Sequence, residues 1–390
     1  MDSTNNGNII KIHCNKSELK AMFYDCDISN FEIIPNSYFN TEKNAIVVLD
    51  RKQIEELEHF YYKDNEKYIN IEKMWIENNN LIIFWHCYFE PLGYKQNEHI
   101  TLRKWPFKYL TLSDYENYKH IDGFLFNHFM NLVHMIGLDT ELINYLEMDI
   151  EHSIDKQYDY SFSFFSPRVH KIELLNKMID GGTIKNTLVN MNKPFYDNHK
   201  NKLSEDNTIK YVKENIKQIF KSKKIYRDFD DYENYVNYNN GELKYYETYT
   251  TKYLKDKEYD MSYIDLNAET HCIFDIPPAN TEKVYKSILT EKPFICIGAQ
   301  KIYEELEKIG VNNYSKIFGL EILQNSNEPF EQIDYVIDFQ KKNKNNIKLL
   351  FEDLTEIRKN NRKLFLDNYK KMTHQIYDFI ISYYATSIKS

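Results

Sequence analysis

The second half of the chain repeats one pattern: a run of strand length, a stretch with apolar residues at helical spacing, then another strand. "YSFSFF", Tyr160 to Phe165, meets a turn at Ser166-Pro167 and a helical stretch from about His170 to Asp180, and Gly181-Gly182 stands where that helix would end. Further on come the strand "SYIDLNA", the loop "THCIFDIPPAN", the helix within "NTEKVYKSIL", the strand "PFICIGA" and a helix with Ile302, Tyr303, Leu306 and Ile309 on one face, closed by Gly310. Strands that each feed a helix returning to the next strand predict right-handed crossover units and a parallel sheet. The expected fold class is therefore α/β.

The first half carries the same signals less regularly. "IIKIHC", "AIVVLD" and "LIIFWHCYF" read as strands, and "DYENYKHIDGFLFNHFMNLVHMIGL" holds a long amphipathic helix. The polar run "EHSIDKQYD" separates the halves, which sets expected domains at 1–157, 158–340 and, for C-terminal helices, 341–390. Ile209, Val212, Ile216, Ile219 and Phe220 share a helical face within Asn207 to Phe220, whereas the Tyr-rich run from Tyr226 to Tyr259 has no readable period. "FQKKNKNN" reads as a charged linker. Beyond it Leu350, Leu354, Ile357, Phe365, Tyr369, Met372, Ile376, Phe379 and Ile380 mark one or two long packing helices.

Composition narrows the partners. With a net charge of -9 over 390 residues, no basic field draws nucleic acid or an anionic membrane from a distance. No run of apolar residues is long enough to span a bilayer, and the first residues, MDSTNNGN, lack an apolar signal core, so the expectation is a cytoplasmic protein with no membrane partner. Cys14, Cys26, Cys87, Cys272 and Cys296 have no CxxC spacing, which suits buried reduced thiols rather than a zinc site.

The informative stretch is "NTEKVYKSILTEKPFICIG". With Asn280 or Thr281 as N-cap, Val284, Tyr285, Ile288 and Leu289 form the arc that packs on the sheet, and Glu282, Lys283 and Lys286 take the polar side. A helix start offers unpaired N–H groups and about half a positive charge, both suited to phosphate oxygens, and Lys283 adds a full charge there. A carboxylate such as Glu282 only accepts hydrogen bonds, so its natural partner is a pair of vicinal hydroxyls, as on a ribose. The same residues also suit a plain helix start in which Thr281 caps and Glu282 favours the dipole. Upstream, "SFFSPRVHKIELL" presents Arg168, His170 and Lys171 where a strand ends, and Glu269 follows the strand "SYIDLNA". Ligands of open α/β sheets bind outside the carboxyl ends of strands, so these groups can face one crevice.

These motifs resemble a known group. "ETHCIFDIPPANTEKVYKSILTEKPFICIGAQKIYEELEKIGV" is similar to the C-terminal lobe of phage and virus glycosyltransferase-like proteins, which carry T-E-K followed by K-P-F-[IV]-x-x-G. "FSFFSPRVHKIELLNKMIDGGTIKNTLVNM" resembles the preceding strand-turn-helix of that group, and "HQIYDF" its terminal helix. A more distant likeness is to the nucleotide-binding lobe of α1,3-fucosyltransferases. The resemblance covers about residues 158 to 320 and the C-terminal helix. It implies a GT-B arrangement, two Rossmann-like lobes facing a cleft with C-terminal helices packing across, in which an N-terminal lobe binds the acceptor and the C-terminal lobe holds a nucleotide-sugar donor without a metal.

Under the resemblance, Lys283 contacts the diphosphate, Glu282 the ribose, and Lys171 takes the place of a phosphate-binding arginine, with Thr281, Arg168 and Tyr285 close by and Glu269 near the donor sugar. Lys171 replaces a forked guanidinium by a point charge, so two-pronged phosphate contact falls to Arg168. The acidic run of the group is replaced by "KIFGLEIL", and its Gly-rich turn by "GAQK". Lys283 and Lys171 are the expected stabilisers of the leaving diphosphate. An acceptor-side base is sought at Glu90, after "LIIFWHCYF", or at Asp25 or Asp27 in "YDCD"; His86, inside a strand, reads as a core residue. The acceptor implied is a glycan, a protein or a hydroxymethylated base in DNA, in a host cytoplasm if the chain is of phage or viral origin. The alternative is a catalytically idle nucleotide- or sugar-binding protein on the same fold. Donor sugar, stereochemistry and oligomeric state are not set by the sequence.

Overall fold

The computed structural model of the 390-residue chain describes residues 9–14, 19–20, 22–34, 42–49, 66–85, 109–112, 146, 149–153, 155–164, 169–191, 259–268, 282–298, 302–326 and 329–387. The chain divides into two compact units, residues 1–147 with 366–390, and residues 148–365.

The first unit holds a parallel sheet of β1 (Ile10–His13), β2 (Phe31–Ile34), β3 (Ile46–Leu49), β4 (Leu81–Trp85) and β5 (Tyr109–Leu112), in the order β2-β1-β3-β4-β5. β1, β3 and β4 are the strands expected from their apolar runs. β2 and β5 were not expected: "FEII" and "YLTL" are too short and too polar to stand out. Ile12, Val47 and Ile82 are fully buried, so both faces of the central strands are covered, as a parallel sheet requires. Helix α1 (Glu66–Glu77) leads from β3 to β4 and buries Ile71 and Trp75. It ends on Asn79, whose φ of 51° suits an asparagine, and the Asn80 side chain accepts from the Ala45 N–H at 3.0 Å.

The second unit is built on β6 (Tyr158–Phe164), α2 (Val169–Asp180), β7 (Thr187–Met191), β8 (Ser262–Ala268), α3 (Glu282–Leu289) and β9 (Phe294–Ile297), followed by α4 (Ile302–Lys308), α5 (Tyr314–Ile317), α6 (Ile322–Asn325), α7 (Pro329–Asn343), α8 (Ile347–Asp353) and α9 (Thr355–Ser387). All strand pairs are parallel and the order is β7-β6-β8-β9. Two parallel sheets with helices make this an α/β protein. β7, "TLVNM", was missed by the sequence reading for the same reason as β2. α2 stops as its glycines predict: the Gly181 N–H donates to Lys177 O, and Gly182 takes a left-handed φ of 71°.

The connections of this sheet leave β6 and β8 in opposite directions, β6 toward β7 and β8 toward β9. Right-handed crossovers therefore put α2 and α3 on opposite faces. The contacts agree. On one face α2 meets α7 through a Lys177–Asp334 ion pair of 2.9 Å, and Thr183, just past α2, donates to Gln340 Oε1 at 2.9 Å. On the other, Tyr285 of α3 lies 5.2 Å from the Phe365 ring of α9, and Arg362 Nε donates to Leu289 O at 3.0 Å.

The run Phe339 to Asn346 is not the expected linker. α7 continues through Asn343, and Phe339 and Gln340 are buried within it. Lys341 and Lys342 lie on its outer side, and an exposed helical face ending in a charged run looks like a linker when only polarity is counted. In α9, residues 358, 361, 365, 369, 372, 376 and 380 are buried, a stripe spaced three and four apart along one face. The part up to Phe365 belongs to the second unit. The remainder packs in the first, where Tyr369 stacks on Tyr24 at 5.4 Å, Tyr377 meets Phe23 edge-on at 5.9 Å, and Thr373 Oγ1 donates to Tyr24 O at 2.7 Å. Among the described residues no helix is long and apolar enough to cross a membrane.

Candidate functional site

β6 and β8 are neighbours whose connections diverge, which is the definition of a topological switch point. Each is followed by a helix that returns along the sheet, α2 after β6 and α3 after β8. The amino ends of α2 and α3 thus stand at the carboxyl edge of the sheet, flanking the gap between these two strands. Lys171 occupies the first turn of α2, and Glu282 and Lys283 the first turn of α3. The topology brings these three positions to one edge from more than 110 residues of sequence separation.

Of the expected site residues, Thr281, Arg168, Glu269 and Glu90 lie outside the described residues, as does His86. Lys171 is buried, 1% exposed, and is engaged within the protein, with His170 buried beside it. Tyr285 is also 1% exposed, its ring against Phe365, so it serves the packing between α3 and α9. Of the alternatives for an acceptor-side base, Asp25 pairs with Lys370 at 3.3 Å, and Asp27 accepts the Ser29 N–H at 2.9 Å. That backbone hydrogen bond holds the Asp27 carboxyl below its usual pKa.

α3 corrects one expectation. Val284, Tyr285, Ile288 and Leu289 are buried as their spacing predicts, but Lys286, Ser287 and Thr290 are buried too. The polar side foreseen for Lys286 is absent because α3 lies between the sheet and the start of α9, with Arg362 reaching its last turn. Ser287 faces β8, where its Oγ donates to Asp265 Oδ2 at 2.7 Å and accepts from Asn267 Nδ2 at 3.1 Å. Ser161 of β6, the register partner of Asp265, donates to the other carboxylate oxygen at 2.8 Å. Lys292, in the turn from α3 to β9, donates to Ser262 Oγ at 2.8 Å, and burial pulls its pKa down to about 7 against the opposing pull of Asp265. Sequence reading missed this network. "SYIDLNA" alternates polar and apolar like a strand with one wet face, yet all seven residues are buried.

The amino edge of the same sheet holds a second charged group that sequence could not assemble, since its members are scattered from 152 to 358. His152 Nδ1 and Asp260 Oδ1 are 3.2 Å apart, Lys156 Nζ donates to the same oxygen at 2.5 Å, and Arg358 donates to Glu291 O at 2.9 Å. The Phe351 ring lies beneath them, 3.7 Å from the Arg358 guanidinium carbon and 5.1 Å from Lys156 Nζ. Burial lowers the pKa of His152 and of Lys156. Burial alone would raise Asp260, but the bonds from His152 and Lys156 outweigh it and hold that carboxyl at about 2.

Cys14 and Cys296 are buried as expected; Cys26 is half-buried, and burial pushes its thiol up to about 11, far from a reactive thiolate. Cys87 and Cys272 lie outside the described residues. Among the described residues no group of three or more His, Cys, Asp or Glu side chains could hold a metal ion. No family model, curated protein or solved structure matches the chain.

Proposed function

We propose that the protein is a metal-independent glycosyltransferase of viral or phage type, with a GT-B arrangement, that binds the nucleotide-sugar donor at the carboxyl edge of the second sheet. The observation that supports this reading is the switch point between β6 and β8, where the starts of two helices lie at one edge of the sheet. Supporting it, the first sheet is wound in the same sense, with its own divergence between β1 and β3, as two Rossmann-like lobes would be. The division of α9 between the two units is likewise what a GT-B chain has at its end.

In transfer, the bond between the anomeric carbon and the diphosphate oxygen breaks, a bond to the acceptor oxygen forms, and the acceptor proton passes to a base on the first unit. The transition state carries positive charge on the sugar ring and growing negative charge on the diphosphate. The helix-start N–H groups of α3 and Lys283 stabilise the leaving group, each contributing a few kcal/mol when fixed in a water-poor cleft. Lys171, in the first turn of α2, approaches the diphosphate from the other side, and Glu282 accepts from the ribose hydroxyls. The acceptor is a glycan, a protein or a hydroxymethylated DNA base; retention on heparin at low salt distinguishes the last, since a net charge of -9 requires a local basic groove for it.

The test is calorimetry with a panel of uridine, guanosine, adenosine and cytidine diphosphates, followed by donor hydrolysis. Lys283→Ala is expected to weaken binding about tenfold or more, about 1.5 to 3 kcal/mol for a charge-assisted contact. Unchanged affinity removes the assignment. Binding by the wild type without turnover on any acceptor would instead identify an idle binder.

A further inference from the structure

The polar network beneath α3 asks for an explanation that packing does not supply. An apolar core of the same volume would hold a helix on a sheet without burying a carboxylate, an ammonium, an amide and three hydroxyls. What such a network adds is geometric uniqueness, because hydrogen bonds fail under displacements that apolar contacts absorb.

The bonds define that geometry. Ser287 is held from two successive rungs of one face of β8, donating to Asp265 and accepting from Asn267, while Asp265 is held by Ser161 of β6. Sliding α3 by one residue moves Ser287 about 1.5 Å along the axis and turns it by about 100°, which breaks both bonds. Lys292 fixes the far end of the same segment, since its Nζ is bonded to Ser262 at the amino end of β8. α3 is thus pinned at mid-length and just past its end. Lys283 precedes Ser287 by four residues, one turn along the same helical row, so whatever sets the rotation of Ser287 sets that of the first turn.

We propose that Asp265 and Ser287 are positioning residues that fix the rotation and height of α3 on β8, and thereby place the first turn bearing Glu282 and Lys283 at the carboxyl edge. This rests on the nucleotide site proposed above for its functional meaning, but not for its structural one. Neither residue is a catalytic residue.

The experiment uses the full chain with Ser287→Ala, Ser287→Thr and, as a control on the other face, Thr183→Val, which removes a comparable hydroxyl bonded to Gln340. Amide hydrogen exchange is read at Lys286 to Leu289, whose helical bonds close on the carbonyls of the first turn. Ser287→Ala is expected to speed exchange there about tenfold while α2 is unchanged, with Ser287→Thr restoring much of the protection and Thr183→Val showing no such local effect. Nucleoside diphosphate affinity should fall about fivefold to tenfold in Ser287→Ala but not in Thr183→Val at matched stability, which a merely structural role would not produce. Exchange that rises equally across β6 to β9 in both variants, or does not rise at all, overturns the inference. A wild type that binds no nucleoside diphosphate sinks the functional reading instead, and the exchange pattern still decides whether these residues place the helix.

Discussion

The two edges of the second sheet carry charge in opposite ways. At the amino edge the charges answer one another: His152 and Lys156 converge on Asp260, and Arg358 caps the carbonyl of Glu291 while its guanidinium lies over Phe351. At the carboxyl edge two helices begin, and the partial positive charges of their backbones point the same way and add. The first arrangement is closed and consumes its charge in holding β6, β8 and β9 to α8 and α9. The second is the field that the donor diphosphate proposed above would complete. Under the function proposed above, charged residues in this unit divide by edge: those before the strands hold the unit together, and those after them bind the donor.

The comparison breaks if an amino-edge substitution costs binding rather than stability. Arg358→Ala should have the largest effect on stability, about 2 to 4 kcal/mol, since it removes a buried guanidinium that donates to Glu291 O and Thr355 Oγ1 and covers Phe351. Chemical denaturation measures this, and nucleoside diphosphate affinity extrapolated to the folded protein should not change. Loss of affinity at unchanged stability would reverse the roles of the two edges. The carboxyl-edge counterpart is Lys283→Ala, with affinity lost and the denaturation midpoint kept.

A pH-dependent effect sharpens the same division. Lys292 has a folded pKa of about 7 against 10.5 for an ordinary lysine, because burial disfavours its charge. Between these values the unfolded chain holds a proton that the folded chain has released, so this group makes stability rise with pH from about 7 toward 10.5. Lys292→Met should abolish that rise, so wild-type stability minus variant stability, followed by denaturation from pH 6 to 10, should increase with pH. A constant gap would show that Lys292 does not titrate in that window.

How much of this was legible depended on whether burial was local or tertiary. β1, β3, β4, β6, β8 and β9 stood out because parallel strands covered on both faces are rich in apolar residues, and α2 because its pair of glycines marks a left-handed stop. β2, β5 and β7, with Glu32, Thr111 and Asn190 interrupting their few apolar residues, did not. Lys286 looked solvated from the helical wheel of α3 alone; it is buried because α9, some 70 residues later, covers that side. Asp265 and Asn267 carried no signal of their own within the strand "SYIDLNA", because their partner Ser287 comes from a helix some twenty residues later. Within the candidate site, the helix starts at Lys171 and at Glu282-Lys283 and their shared place beyond the strand ends could be read from strand-turn-helix patterns, but the strand arrangement that makes them neighbours could not. It is the order β7-β6-β8-β9, which no local signal encodes.

The most direct measurement is photo-crosslinking of the full chain with an azido-nucleoside diphosphate, followed by mapping of the adducts by mass spectrometry. Adducts should fall in peptides spanning residues 166–172 and 269–285, on either side of the gap between β6 and β8, and should be competed away by unmodified nucleotide. Adducts confined to residues 149–157, 259–262 or 290–293, at the amino edge, or no competable adduct at all, would contradict a nucleotide site at the carboxyl edge.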